Sequence, residues 1–371
     1  MRKVALDLGA RKTAYCEVQN GQVIQRATVT SVETLESLLG PQHPPADVAI
    51  EACREAWHVH DLLSSWGNHV LLVDTTRSRR LGIGQHGRKT DKIDAEVLAL
   101  ALERGGIPAA HVLSPHRREL RRWLNVRRAL VESRAQLVTT ARGLAREQGA
   151  ALPKCATGNF VQYASRLAAQ PLEVIPPLLK MLDTVNTELE VVDSKLAALC
   201  ETEPVVELLM TAPGVGPTIA ASFVSVVDDA KRFRSPHQVE SYLGLVPSED
   251  SSGGKRRLGA ISKQGNSYRR SLLVQGAWSI LRKNDRKDPL RLWADAVAER
   301  RGKKIAVIAL ARRLAGVLWA MWRDCAPYNA ALLASASSRG TRKSARDLEV
   351  QATKLSATAR KRMPMEATLQ T

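Results

Sequence analysis

Cysteine is sparse and scattered: the five, at positions 16, 53, 155, 200 and 325, form no close pair and no metal-type spacing. That distribution excludes a disulfide framework or a cysteine zinc site, and the thiols read as free in a reducing cytoplasm. His58, His60 and Asp61 have no cysteine partners at a metal-type spacing and are assigned no zinc. No run approaches the ~18 continuous apolar residues of a membrane span. The chain opens straight into a strand-like run without a signal peptide, so the expected location is cytoplasmic, with no membrane partner. A Gly-x-Gly lies within residues 81–89, but no GKS or GKT follows it, which weakens a nucleotide-loop reading. Acidic residues are also in short supply. Against 55 Lys and Arg stand 37 Asp and Glu, a net charge of +18 and a pI near 10.1. That imbalance suits a polyanionic partner. With 371 residues and an ordinary apolar share of 44%, two or three globular domains are expected.

Residues 1–110 alternate strand and helix signals. Strands are expected at 3–9, 13–19, 22–29, 48–51 and 69–73, and helices at 32–39, 57–66 and 91–104. This order fits a mixed sheet with helical cover. The stretch 81–89 is Gly-rich and basic, and reads as a loop. Beyond residue 335 the composition turns to Ser, Arg, Lys, Thr and Ala without periodicity, which reads as a disordered basic tail. The expected units are 1–112, 113–203, 204–333 and the tail 334–371.

Four acidic residues stand out. Asp7 ends the apolar run 4–6, and Glu51 ends the apolar run 48–50. Asp91 and Asp94 open an apolar-periodic helix, and residues three apart share a helix face. Carboxylates at strand ends facing a helical pair form an oxygen-rich site of the kind chosen by Mg²⁺. Paired metals in such sites drive phosphodiester chemistry.

Basic residues gather in three places. Helical residues 115–150 hold nine Arg, at 117, 118, 121, 122, 127, 128, 134, 142 and 146, against three Glu. A charged helix is ordinarily a solvated face, but this excess favours phosphate contact, with Arg117, Arg118, Arg121, Arg122, Arg127 and Arg128 as the leading candidates. Residues 210–221 form a helix–hairpin–helix signature, in which the amides of Gly214 and Gly216 and the following helix N-terminus can meet a phosphate; the plainer reading is an ordinary glycine corner. The Ser-Gly-rich segment 248–254 is followed by Lys255, Arg256, Arg257, Lys263, Arg269 and Arg270. A serine hydroxyl held among those cations could attack a phosphate. Between them, residues 175–199 carry a heptad: Ile175, Leu178, Leu182, Val185, Leu189, Val192, Leu196 and Leu199. This seam serves either self-association or packing against helix 116–147 of the same chain.

Together these pieces resemble the DEDD transposases of the IS110 group of insertion sequences, the bridge-RNA-guided recombinases. The resemblance covers roughly residues 3–330. Asp7, Glu51 and Asp91-x-x-Asp94 match the RuvC-like, RNase H-fold domain of that family. The hairpin 212–217, the turn 244–247, Ser252-Gly253, the segment 261–265 and the stretch 302–314 match its C-terminal domain. The implied fold is an α/β RNase H-like N-terminal domain, a helical coiled-coil middle and a mostly helical C-terminal domain. The implied activity is DNA strand exchange through a phosphoserine link at Ser252, with Ser251 as runner-up. Mg²⁺, or Mn²⁺ in its place, would be held by Asp7, Glu51, Asp91 and Asp94, and would bring two distant domains into one composite site. The implied partners are donor and target double-stranded DNA, a noncoding guide RNA and further copies of the chain as a dimer or tetramer, acting at a prokaryotic nucleoid. Two positions depart from the family pattern: Ala10 stands where a Lys is frequent, and Arg54 where a Gly is usual.

Three other readings compete. A hydrolytic RuvC-like nuclease on branched DNA needs the four carboxylates but not Ser252. An actin-like ATPase is faintly matched by residues 6–13, without a second Asp-x-Gly loop downstream. A non-catalytic binding protein descended from a transposase would have no use for the acidic set.

Overall fold

A computed structural model of the chain describes residues 1–75, 77, 91–167, 173–249, 257–283 and 287–333. The expected loop at 81–89, Ser251, Ser252, Lys255, Arg256 and the tail from 334 lie outside the described residues. The chain divides into two compact units, Met1–Leu113 and Ser114–Thr371.

The first unit is a five-stranded sheet of β1 (Arg2–Leu8), β2 (Thr13–Gln19), β3 (Gln22–Val29), β4 (Ala46–Glu51) and β5 (His69–Val73), in the order β3-β2-β1-β4-β5. β1, β2 and β3 are antiparallel neighbours. Asn20 and Gly21 turn β2 into β3 with φ of 53° and 74°, the left-handed pair that two-residue hairpins require. β4 and β5 run parallel to β1. Parallel neighbours need crossover connections, supplied by α1 (Val32–Leu39) and α2 (Ala56–Ser65). A third helix, α3 (Asp91–Arg104), packs on β1 and β2.

Strand side chains alternate between the two faces, and the two cores follow that alternation. Val4, Leu6, Tyr15, Val48 and Ile50 are buried with Leu35 and Leu39 of α1 and Leu63 of α2. On the opposite face Ala5, Ala14, Cys16, Val18 and Ala49 are buried with Ala95, Leu98 and Ala99 of α3. That second face is rich in alanine, which lets the α3 backbone lie close to the sheet. A polar clamp closes the edge of the first face. Arg2 donates to Glu17 at 2.8 and 2.7 Å, to Tyr15 Oη at 3.1 Å and to the Leu38 carbonyl at 3.2 Å. Tyr15 Oη in turn donates to Glu17 at 2.6 Å.

The second unit begins with a helical pair, α4 (Pro115–Glu147) and α6 (Pro176–Glu201), with the short α5 (Phe160–Leu167) beside them. Leu182 is buried with Val138 and Ala141 of α4, while Val192 and Leu196 are buried with Leu120 and Leu124. The pair is therefore antiparallel, and Arg127 meets Asp193 at 2.6 Å in the same sense. The heptad of α6 faces α4 of its own chain.

A larger core follows, built from α7 (Pro204–Met210), α8 (Pro217–Val227), α9 (Pro236–Tyr242), α10 (Ser267–Lys283), α11 (Pro289–Arg301) and α12 (Lys303–Arg323). α8 is buried from Ala220 to Val227. α12 is long and apolar enough to cross a membrane, but it is mostly buried inside this core, and Trp319 donates from Nε1 to the Ala230 carbonyl at 2.9 Å. A short hairpin, β6 (Pro247–Glu249) and β7 (Leu258–Ile261), joins α9 to α10.

The Glu17 carboxyl is held below the usual carboxylate range by its bonds from Arg2, against the opposing effect of burial. A depressed folded-state pKa contributes stability that is present above the unfolded pKa of about 4.3 and is lost as pH falls through the folded value. Glu17→Gln is expected to cost roughly 3 kcal/mol at pH 7 by leaving Arg2 unpaired. It should also flatten the acid limb of the stability curve below about pH 4. Urea unfolding of both proteins across pH 2–7 measures both effects.

Candidate functional site

β1 and β4 are paired in parallel with Leu6 opposite Ile50. Asp7 and Glu51 each follow by one residue, so they stand side by side at the C-terminal ends of neighbouring strands, about 5 Å apart in the backbone. Alternation places both on the face of Ala5 and Ala49, which is the face that α3 covers. Ala52 N–H still donates to the Val73 carbonyl at 3.2 Å, which holds the end of β4 against β5.

Two contacts set the height of α3. Gly21 N–H, in the turn at the far end of the sheet, donates to Glu103 Oε2 at 2.8 Å. Arg26 bonds Glu96 at 2.5 Å, and Arg26 pairs with Cys16, which pairs with Ala5. Glu96 is thus level with Ala5, and the helix start points toward the strand C-termini. Asp94 lies about 3 Å above Glu96 along the helix axis and Asp91 about 7.5 Å above; Asp7 lies about 7 Å above Ala5 along its strand. Sheet end and helix start therefore reach the same level.

Asp7, Glu51 and Asp94 are half-buried. Other carboxylates of this unit carry a cation: Glu17 has Arg2, Asp47 has Lys3 and Glu96 has Arg26. Glu51 and Asp94 have no such ion pair among the described residues. The side chain of Asp91, the first residue of α3, lies outside those described, and among the described residues no three His, Cys, Asp or Glu side chains are gathered to hold an ion. The oxygen-only donors at one half-buried edge have the chemistry of a Mg²⁺ site, with Asp94 still to be drawn together with its neighbours.

The arginines of α4 have divided destinations. Arg117 forms ion pairs with Glu203 and, at 3.7 Å, with Asp228, and its guanidinium lies 5.8 Å from the Trp322 ring centroid. Arg118 is 4% exposed. Both side chains are drawn in from the surface, Arg117 by its ion pairs and Arg118 by burial. Arg127 is engaged by Asp193, and Arg128 bonds Glu132 at 2.7 Å while stacking over Tyr268. Arg122 is exposed and Arg121 half-buried. Of the later cations, Arg257 and Lys263 are exposed, and Arg270 donates to the carbonyls of Leu243 and Gln264. Arg269 is 2% exposed and bonds Asn125 of α4 at 3.0 Å. The sequence reading missed Asn125 and Tyr268. Asn125 lies four residues after Arg121 and three before Arg128, so the three share a helix face, and this spacing was the available signal.

The corner between α7 and α8 is tight for a packing reason. Gly214 has φ +72°, and a Cβ there would lie 2.5 Å from the Gly276 carbonyl oxygen of α10. Gly214 therefore serves a helix crossing, in line with the plainer glycine-corner reading. Gly216, which opens α8, has open space around it. Ser251 and Ser252 fall between β6 and β7, outside the described residues. The base of that hairpin is fixed: Ser248 Oγ donates to the Ala260 carbonyl at 3.0 Å, and Gly244 lies against the Gln264 backbone.

The strand order, with three antiparallel strands followed by two parallel ones and acidic residues at the ends of β1 and β4, defines an RNase H-like nucleic-acid-processing fold. Two family descriptions match the chain. A DEDD-type family of IS110 elements, described as "Transposase", matches residues 4–147, and the "Transposase IS116/IS110/IS902 family" matches residues 206–290. A "Probable family 20 transposase" of Pseudomonas aeruginosa is 30% identical over 76% of this chain and 85% of its own length. The "Transposase for insertion sequence element IS1111A" of Coxiella burnetii is 30% identical over 74% and 77%, and that for IS1328 of Yersinia enterocolitica 27% identical over 85% and 95%. The chain belongs to the IS110 family of insertion-sequence transposases.

Arg117→Ala tests the structural assignment of that arginine. It removes the guanidinium from Glu203 and Asp228, each about one-tenth exposed, leaving His116 beside Glu203 and the Ser114 hydroxyl beside Asp228. The expected loss is roughly 3 kcal/mol of stability, read as a shift in urea midpoint, with the salt dependence of DNA binding unchanged. A salt slope smaller by about one would instead assign Arg117 to phosphate.

Proposed function

We propose that this transposase cuts and rejoins DNA through a covalent phosphoserine link formed by Ser252, with Mg²⁺ held by Asp7, Glu51, Asp91 and Asp94. The observation that carries the metal half is the shared edge of Asp7 and Glu51, whose level the start of α3 reaches, with Glu51 and Asp94 lacking a cation among the described residues. Mg²⁺, with Mn²⁺ as substitute, would supply charge neutralisation at the scissile phosphate. In the first step Ser252 Oγ attacks phosphorus, the P–O bond to one deoxyribose breaks, and the serine proton ends on the departing DNA hydroxyl. In the second step a hydroxyl of the other DNA partner attacks the phosphoserine and Ser252 is released protonated. One phosphoester is exchanged for another, so no external energy source is needed.

Support for Ser252 comes from its place between two short strands whose flank carries Arg257, Lys263 and Arg270. Cations there would hold the DNA backbone beside the serine. The family resemblance implies a second polyanion besides DNA, a noncoding guide RNA whose base pairing would read donor and target sequences, and the net charge of +18 suits such a partner. Assembly as a dimer or tetramer would place two such sites on the two DNA partners.

Ser252→Ala is expected to abolish both strand exchange and the protein–DNA adduct seen on denaturing gels, while Ser251→Ala retains both. Glu51→Gln and Asp94→Asn should each reduce exchange at least 100-fold with unchanged folding. Cleavage that persists in Ser252→Ala without any adduct would replace this mechanism with metal-dependent hydrolysis.

A further inference from the structure

The N-terminus of α10 meets the middle of α4 around one arginine that lacks sufficient partners. Arg269 is 2% exposed, and among the described residues only Nη1 of its three guanidinium nitrogens has an acceptor, Asn125 Oδ1 at 3.0 Å. Nε and Nη2 are buried without a hydrogen-bond partner. Charged donors left in that condition are costly. Elsewhere in the unit a buried arginine meets carboxylates, as Arg117 meets Glu203 and Asp228. Among the described residues, the charges that act on Arg269 are those of Arg121 and Arg128, of its own sign, with Arg128 itself paired to Glu132.

Burial first, and then the positive charges of Arg121 and Arg128, push the Arg269 guanidinium down to about 10, with Tyr268 opposing. Burial likewise lowers Arg121. Tyr268 is stacked by Arg128 at 5.2 Å and by Arg269 at 5.3 Å. The positive end of the 17-residue α10 adds to the same potential. Asn266 caps this end, accepting from Arg269 N–H at 3.2 Å. Access runs from the surface inward: Asn125 is exposed, Arg121 and Arg128 are half-buried, and Arg269 is enclosed.

We infer that Arg269, Arg121 and Arg128 form a recessed pocket for one phosphate group, a phosphodiester of the bound nucleic-acid backbone, with Asn125 at its mouth. The Nε and Nη2 of Arg269 are donors to a tetrahedral oxyanion, and a single negative charge there would offset the repulsion that Arg121 and Arg128 exert on Arg269. Such a phosphate would be gripped far more specifically than one lying along exposed arginines. The inference rests on the nucleic-acid-binding part of the proposed function, but not on Ser252 or the carboxylates.

The test uses the full-length protein, inorganic phosphate and a 30-base-pair duplex as probes. In matched ionic strength, phosphate should raise the melting temperature of the wild type relative to chloride. Arg269→Met should melt higher than the wild type without phosphate, because a strained buried charge is gone, and should lose the phosphate response. Its duplex affinity should fall about tenfold, and the slope of log K against log salt should shrink by about one. Arg121→Gln, a half-buried position, provides the same readouts if Arg269→Met does not fold. A phosphate response retained in both variants, or a lower melting temperature with unchanged binding, would make Arg269 a packing residue and overturn the pocket. Loss of the phosphate response with unaltered duplex binding would overturn the nucleic-acid assignment and leave a free-phosphate site. Because no strand exchange is measured, an inactive transposase would not disturb either result.

Discussion

The parallel pairing of β1 with β4 is the constraint on which the acidic edge depends. Leu6 opposite Ile50 fixes Asp7 beside Glu51, and a slip of one residue would turn one of them to the other face of the sheet. Two unlike cores enforce the register from both sides. Val4, Leu6, Val48 and Ile50 require the bulky cover of α1 and α2, whereas Ala5 and Ala49 accept only the close approach of α3. Hydrophobic patterning thus positions carboxylates that contribute nothing to the core themselves. Holding two half-buried acids side by side at one edge is unfavourable in isolation, and the apolar layers beneath them offset that cost.

α4 resolves a related conflict. Its arginines do two incompatible jobs, because a guanidinium paired inside the fold is withdrawn from solution. Arg117 draws α4 onto the start of α7, the end of α8 and the Trp322 ring of α12, and Ser114 hydroxyl reinforces the same anchor by donating to Asp228 at 2.9 Å. Farther along, Arg127 fastens α6. The charge available to a polyanion is therefore smaller than the count along the helix.

Much of the first unit was legible in the chain because its signals are local. Apolar runs of four to eight residues, an Asn-Gly turn and a carboxylate closing each of two runs lead to β1–β5 and to Asp7 and Glu51. The level of α3 was not legible: it rests on Gly21 reaching Glu103 and Arg26 reaching Glu96, contacts between residues 82 and 70 positions apart. The destinations of Arg117 and Arg118 were hidden for the same reason, since helical spacing shows which residues share a face but not what the face meets. The heptad of α6 announced a seam and left its partner open between α4 and another copy; in-chain packing is what the fold contains. β6 and β7, three and four residues long, are too short to carry a periodic signal.

The contact between Gly214 and Gly276 carries an implication for how this corner varies. A side chain at 214 would strike the 276 carbonyl, and one at 276 would come within 3.1 Å of the 214 carbonyl and 3.3 Å of Ile219 and Leu314. Both positions thus guard the same gap between two backbones. Once a first substitution has forced α8 and α10 apart, a second meets space already opened, so the two changes are strongly non-additive. Over evolutionary time such a pair is expected to be kept or relinquished together; a relative that has lost Gly276 should show a wider crossing, and one that has lost Gly214 a changed turn as well, since φ there is +72°.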